Sequence, residues 1–468
     1  MSNLNSDRGI SINPSQSSSS STNSWIVSSA GDFNNDQIDD IILGIPSEDL
    51  VYIVFGSRNL LSDLSLPLSS SKGIKITGES SGDLFGTSVG FAGDVNADGI
   101  DDIIIGAPGY NSDQGAAYII YGRSNPSDTS VSSELLASTP RGFKMIGESA
   151  GDLFGTAVSF AGDLDRDGYD DVVIGAPGYN GNAGAGYVIL GKILNNMPGT
   201  WPDVPMSGSY EGFIVKGANA NDGLGTAVSN AGDIDKDSYD DVMIGAPKAL
   251  GAGSTASDQT GAVYVVFGKS SFSSMIDLSA ALPSNCIKIN GESAGDKFGN
   301  AVGFAGNVNG DYYDDIIIGA PGVSSDAGAA FVIFGASSLG TLDLSSGSSL
   351  TGVKLTGSSA GGLFGTAVSR VGNLNSDQYD DVVIGAPGEG IVYVIYGRAT
   401  TYSGSVSGYS QKNKLIGGVV GFGGSLGGIN NFNGNDKPDV VIGGDIGEGF
   451  VVFDQSKKFG VNRMSNLI

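Results

Sequence analysis

Residues 161–177 read AGDLDRDGYDDVVIGAP, with aspartates at alternate positions of a short turn and a β-branched run directly after it. Counting Asp163 as position one, side-chain oxygens stand at positions one, three, five and nine, and the position-seven carbonyl is free to point inward. Alternate spacing in a tight turn aims such oxygens at one centre. Ca²⁺ accepts six to eight oxygen ligands in irregular geometry, whereas Mg²⁺ demands a near-ideal octahedron, so the set suits calcium. Without a cation these carboxylates would repel one another.

The pattern recurs seven times, every 58–74 residues. The copies offer Asp32, Asn34, Asp36 and Asp40 with the carbonyl of Ile38; Asp94, Asn96, Asp98 and Asp102 with Ile100; and Asp163, Asp165, Asp167 and Asp171 with Tyr169. The fourth has Asp233, Asp235, Asp237 and Asp241 with Tyr239, the fifth Asn307, Asn309, Asp311 and Asp315 with Tyr313, and the sixth Asn373, Asn375, Asp377 and Asp381 with Tyr379. The seventh keeps only Asp439 beside Asn431, Asn433 and Asn435, with Lys437 at position seven. Affinity follows ligand charge. Copies three and four therefore rank first, five and six lower, and metal binding by the seventh is left open, giving about four to seven Ca²⁺ ions. An EF-hand would need a glutamate at position twelve and flanking helices, but Ile105 or Ile174 stands there inside a strand. Asp101, Asp170 and Asp240, at position eight, point away from position nine in an extended chain and are expected to cap backbone amides.

Each unit must supply strands to hold its loop. In the second copy these are FGTSVGFAG, DIIIGAP, AAYIIYG and RGFKMIGE, four short strands with no helical period, which is the content of one propeller blade. Seven such units predict an all-β, seven-bladed β-propeller of four antiparallel strands per blade. It forms one domain over 1–468, with blade cores at about 25–79, 85–148, 154–217, 224–291, 298–357, 364–417 and 422–456 plus 8–13. The outer-strand signature recurs near the N-terminus as RGISIN (8–13), so this piece is expected to close the seventh blade and remove its open edge.

Composition agrees with this reading. The 468 residues are 40% apolar and 16% charged, with 76 glycines that mark turns. The formal charge of −26 argues against nucleic acid and anionic membranes as partners, and roughly half of the 50 acidic residues stand in the seven loops. There is no histidine, which removes the usual general base and zinc ligand. Cys286, the single cysteine, is expected to be buried and inert. MSNLNSDRGI carries no apolar leader, and no stretch reaches the ~18 apolar residues that span a bilayer, so no membrane insertion is expected.

The pairs Phe85-Gly86, Phe154-Gly155, Phe298-Gly299 and Phe364-Gly365, the D-x-[DN]-x-D-[GSQ]-x-D-D loop and Gly-Ala-Pro together resemble the FG-GAP repeats of the integrin alpha-chain head. The resemblance implies a propeller with Ca²⁺ in first-to-second-strand loops on one face and ligand binding on the opposite face. The Phe-Gly pairs themselves are expected to be blade-to-blade wedges rather than binding residues. The chain departs from animal integrins in having Asn23 and Ser24 where blade one should carry Phe-Gly, Leu224 in blade four, more metal-type loops, and one cysteine.

The function expected is a non-catalytic, calcium-stabilised binding or adhesion module, monomeric, extracellular or at the cell surface, recognising protein or glycan. Its contact residues are expected among the second-to-third-strand loops, which include Tyr110, Asn111, Tyr179, Asn180 and the insert 248–260. The alternative is the propeller of a secreted enzyme acting on polysaccharide or phospholipid. That reading lacks a carboxylate pair not already assigned to a loop.

Overall fold

The structure is a computed structural model that describes residues 9–14, 24–59, 63–135, 141–191, 212–251, 259–346, 350–399, 404–405, 414–417, 419–445, 447–453 and 462–463. Arg8, Asn23, 252–258 and 454–456, which the sequence reading placed in blades or on the ligand face, lie outside these residues.

Seven separate antiparallel sheets make the seven blades of a β-propeller. In the second blade, Ser88–Gly93 is the inner strand, followed outward by Asp102–Ala107, Ala116–Ile120 and Gly142–Ile146. The third repeats this with Ala157–Gly162, Asp171–Ala176, Ala185–Ile189 and Gly212–Lys216. Every second strand is buried along its whole length, matching its unbroken apolar run. Inner strands pack against their neighbours around the axis, and the last, Phe422–Ile429, meets the first, Ile26–Gly31.

Closure follows the sequence expectation. Gly9–Asn13 pairs antiparallel with Gly449–Val452 as the outer strand of the seventh blade, with Ile10 opposite Val451. Ile10 and Ile12 are buried there.

The blades also carry a feature that the four-strand reading did not contain. In six of the sheets a further short strand lies parallel to the outer strand, and it is lent by the following blade. Leu64–Ser65, in the third-to-fourth connection of blade one, pairs with Ile12 and Asn13 of blade seven. Thr129–Ser130 pairs with Ile76 and Thr77, and Met275–Asp277 pairs with Ile214, Val215 and Lys216. Leu342–Asp343 and Gly404–Ser405 repeat the arrangement, and Asn462–Arg463 supplies it to blade six. Aspartates just before two of these strands fasten them: Asp63 accepts the N–H of Ser11 and Asp128 that of Lys75, both at 2.9 Å.

The apolar core lies between blades. Ile104, Ile119 and Phe143 of the second blade pack with Phe154, Val172 and Tyr187 of the third. Phe85, Phe154, Phe298 and Phe364 are fully buried, each edge-on to an aromatic ring of the third strand, as Phe154 is to Tyr187 at 5.2 Å. Leu224 takes that place in blade four. The paired glycines explain the rest of the motif. A Cβ on Gly106 of one blade would fall 2.0 Å from the carbonyl oxygen of Gly155 in the next, so the backbones meet there with no room for a side chain. In the seventh blade Phe422 and Gly423 make the same wedge, a Phe-Gly pair the sequence reading passed over. At the first blade Trp25 fills the space, exchanging backbone hydrogen bonds with Gly444 at 2.9 and 3.0 Å.

Candidate metal loops and the opposite face

Each acidic loop joins an inner strand to a second strand, so all seven open on one face of the ring. Their own side chains set the turn. The position-one carboxylate accepts the N–H groups of positions five and six: Asp94 from Asp98 and Gly99 at 3.0 and 2.8 Å, Asp163 from Asp167 and Gly168, both at 3.0 Å. Position five then accepts the N–H of position seven, from Ile38, Ile100, Tyr169, Tyr239, Tyr313, Tyr379 and Lys437, at 2.8–3.1 Å. These short-range bonds curl the chain so that alternate side chains converge.

Position nine opens the second strand and is fully buried in every blade: Asp40, Asp102, Asp171, Asp241, Asp315, Asp381 and Asp439. In Asp171 one oxygen accepts the N–H of Leu164 and the other that of Gly191, both at 2.8 Å. Asp102, Asp241, Asp315 and Asp381 do the same with their own loop and with the glycine after their third strand. Two accepting oxygens are what an ionised carboxylate offers, yet burial first, and the carboxylates of Asp165 and Asp163 next, push the Asp171 carboxyl up to about 8. Burial pushes Asp241 to about 8 and Asp315 and Asp381 to about 7, and raises Asp40 and Asp102 well above the ordinary carboxylate range. A positive charge in the loop resolves that conflict by favouring the ionised form.

The donor sets fit a cation best in the third and fourth loops. Asp163, Asp165 and Asp171 bring one oxygen each within 4.8 Å of one another, and so do Asp233, Asp235 and Asp237. Oδ1 of Asp233 is buried and accepts no hydrogen bond. Among the described residues, no third group of His, Cys, Asp or Glu closes in this way. The residues at position three of loops one and two, Asn34 and Asn96, are neutral: the Asn34 amide donates to Asp40 at 3.2 Å and the Asn96 oxygen accepts the N–H of Asp98 at 2.8 Å. Asn307, Asn309, Asn373, Asn375, Asn431, Asn433 and Asn435 make the remaining three loops still less charged, and their side chains hold loop amides, as Asn309 and Asn375 do for Asp311 and Asp377.

Position eight does cap amides, and the amides belong to the neighbouring blade. Asp101 accepts the N–H of Asp32, Asp170 that of Asp94, Asp240 that of Asp163, Asp314 that of Asp233 and Asp380 that of Asn307, at 2.7–3.0 Å. Asp39 takes the N–H of Asn430 at 3.1 Å. Sequence spacing shows which way this side chain points, but not that another blade waits there.

On the opposite face the second-to-third-strand loops turn through successive left-handed residues, Asn111, Ser112 and Asp113 in one blade and Asn180, Gly181 and Asn182 in the next. The carbonyls of Asp113 and Asn182 accept the N–H groups of Leu153 and Gly223 at 2.8 and 2.9 Å, so these turns clasp the following blade. Asn111 and Asn180 are exposed, whereas Tyr110 and Tyr179 are half-buried. The Lys144 ammonium sits 3.6 Å from the Tyr110 ring centroid and pairs with Glu79, and Tyr179 stands edge-on to Tyr187 at 6.5 Å. Lys opposite an aromatic ring recurs between the outer and third strands, as in Lys288 over Tyr264, Lys354 over Phe331 and Lys414 over Tyr393. Cys286 is buried and its thiol is pushed up to about 12 by burial, as expected of an inert sulfur.

A seven-bladed propeller with one acidic turn per blade, all on one face, is thus the class of protein that fold and loops define. More particularly, the chain carries FG-GAP repeats: residues 85–120, 154–190 and 224–266 match the FG-GAP repeat profile. It is similar to integrin alpha chains, among them integrin alpha-5 of Xenopus laevis, 29% identical over 228 residues that cover 46% of this chain and 19% of that protein. Human integrin alpha-8 is 28% identical over 48% of this chain and 20% of its own length, and human integrin alpha-IIb 34% identical over 37% and 16%. The matched part of the chain therefore spans about a fifth of the length of these curated relatives. Among solved structures, "Structure of Dos1 propeller" aligns with 91% of this chain and 77% of that one, at a TM-score of 0.42 and 12% identity. Among the described residues, no helix is long and apolar enough to cross a membrane.

Proposed function

We propose that this chain is a calcium-stabilised, non-catalytic binding or adhesion module that works outside the cell or at its surface. Ca²⁺ occupies the acidic loops, the third and fourth most tightly, and a protein or glycan is recognised by the opposite face. The reading is carried by the gathering of three carboxylates within 4.8 Å in the third and fourth loops of a chain with FG-GAP repeats. Extracellular calcium fills weak oxygen sites that cytosolic calcium leaves empty, which favours that compartment. The ion would be held by positions one, three, five and nine and the position-seven carbonyl, and would supply charge neutralisation that ties the first two strands of each blade together.

The test is a melting curve of chelator-treated protein titrated with Ca²⁺. A site filled to a hundredfold over its Kd adds about 2.7 kcal/mol if it binds only the folded chain, so several sites raise Tm by many degrees. A melt indifferent to both chelator and Ca²⁺ overturns the cation assignment. For the opposite face, the Ca²⁺-loaded chain is exposed to glycan and extracellular-protein arrays and, in parallel, to polysaccharide and phospholipid substrates. Turnover of any of these overturns the non-catalytic reading.

A further inference from the structure

The position-eight contacts have a regular geometry. Asp240 and Asp241 are adjacent on extended chain and face opposite ways. Asp241 accepts the N–H groups of Ile234 and Gly268 in its own blade at 2.9 and 2.8 Å. Asp240 reaches back to the third blade and accepts the N–H of Asp163 at 2.9 Å. A second tether starts from the same place, because Lys269, next to Gly268, gives its N–H to the carbonyl of Leu164 at 2.9 Å. The residues flanking Asp241 and its partner Gly268, namely Asp240 and Lys269, thus end on positions one and two of the preceding loop. The double tether recurs with Arg123 on Phe33, Ala336 on Ile234 and Arg398 on Val308, at 2.8–3.0 Å.

We propose that the position-eight aspartates are positioning residues that couple the cation loops around the ring, so that filling one loop tightens the loop of the preceding blade. The proposal rests on the calcium reading above. An ion that fixes Asp241 also fixes Asp240, and with it the backbone from which Asp163 reaches its ligand position. By linkage the coupling is reciprocal within each pair. It is interrupted once, between the sixth and seventh blades. Pro438 stands at position eight there, and Gly372, the residue before Asn373, faces its ring in place of a carboxylate.

Terbium(III) binding to the full chain tests this. Tyr169, at position seven of the third loop, sensitises an ion held there, and subtracting the Tyr169→Phe trace isolates its signal. Asp240→Ala is expected to raise the half-saturation of the Tyr169 signal by about fivefold or more, the usual scale of coupling between sites. Asp240→Asn, which keeps an oxygen for the Asp163 N–H and loses only charge, is expected to recover most of that loss. Equal shifts in the two variants mean plain electrostatics and overturn the coupling. A parent chain with no Tyr169 signal overturns the cation reading itself. Should Asp240→Ala not fold, Pro438→Asp serves alone. It supplies the missing link and is expected to lower the half-saturation of the Tyr379 signal in the sixth loop while leaving Tyr169 unchanged. A folded Pro438→Asp chain with an unmoved Tyr379 curve overturns the proposal.

Discussion

The carboxylate of Asp170 in the third blade accepts the backbone N–H of Asp94 in the second at 2.7 Å. Position eight belongs by sequence to one loop and by contact to another, so the acidic face is a belt of linked turns, broken once at Pro438, rather than seven independent turns. Position nine, one residue on, is where the consequences of altering that belt are easiest to measure.

Asp171→Ala removes a buried acceptor and leaves the N–H groups of Leu164 and Gly191 without it. Each orphaned buried amide costs about 1–3 kcal/mol. Hydrogen exchange is expected to speed up in the third blade and at its borders while the sixth blade keeps its protection, and uniform loss around the ring would contradict this localisation.

Stability against pH should change sign with calcium. Asp171 and Asp241 at about 8, and Asp315 and Asp381 at about 7, are raised in the fold from an unfolded value of 3.8. In the cation-free protein their contribution is fully present below pH 3.8 and is lost as pH rises through 7–8. Tm of chelator-treated protein should therefore fall from about pH 4 to about pH 8 and level off above that. With Ca²⁺ saturating, the ionised carboxylates are the bound form and the fall should vanish or reverse. Scanning calorimetry across that range decides it.

Two glycines with the same backbone sign should respond differently to alanine. Gly168 has φ of +90° and open space around its Cβ direction, so Gly168→Ala costs the left-handed strain alone, about 1–2 kcal/mol. Gly155 has φ of +87°, and a Cβ there would lie 2.2 Å from the Ala116 carbonyl oxygen. Gly155→Ala is expected to lower Tm well beyond the first variant, and equal effects would count against the close packing of blades two and three.

Ring closure can be probed at Ile10 and Ile12. Both are buried against the seventh blade, and burying a charge there without a partner costs several kcal/mol. Ile12→Asp should expose the Gly449–Val452 strand to proteolysis first. Cleavage starting in a distant blade would show that this strand is not the clasp.

Much of the architecture was legible because each blade repeats its signals locally. The continuous apolar run of DVVIGA announced a strand buried on both faces, and RGISIN announced an outer strand lacking its own blade. The convergence of carboxylates in loops three and four was legible because alternate Asp residues in a tight turn bring their side chains to one side. What escaped lies between units. The two-residue strands such as Leu64–Ser65 are too short to carry a period, and they pair parallel with a strand some 50 residues away. Tyr110 and Tyr179 read as exposed loop residues because a sequence does not show Lys144 over one ring or Tyr187 beside the other. Phe422 was missed because its blade's loop keeps only two acids and its second strand ends in Gly-Gly-Asp in place of the Gly-Ala-Pro that flags the other wedges.

The lent strands bear on how such a molecule grows in lineage. Among the described residues, six of the seven sheets receive a short strand from the following repeat, so a duplicated unit of that kind arrives with both hook and eye. Swapping a single sector for a foreign one, by contrast, alters two seams at once, and engineers who graft a new blade must transplant its third-to-fourth connection along with the outer edge it grips.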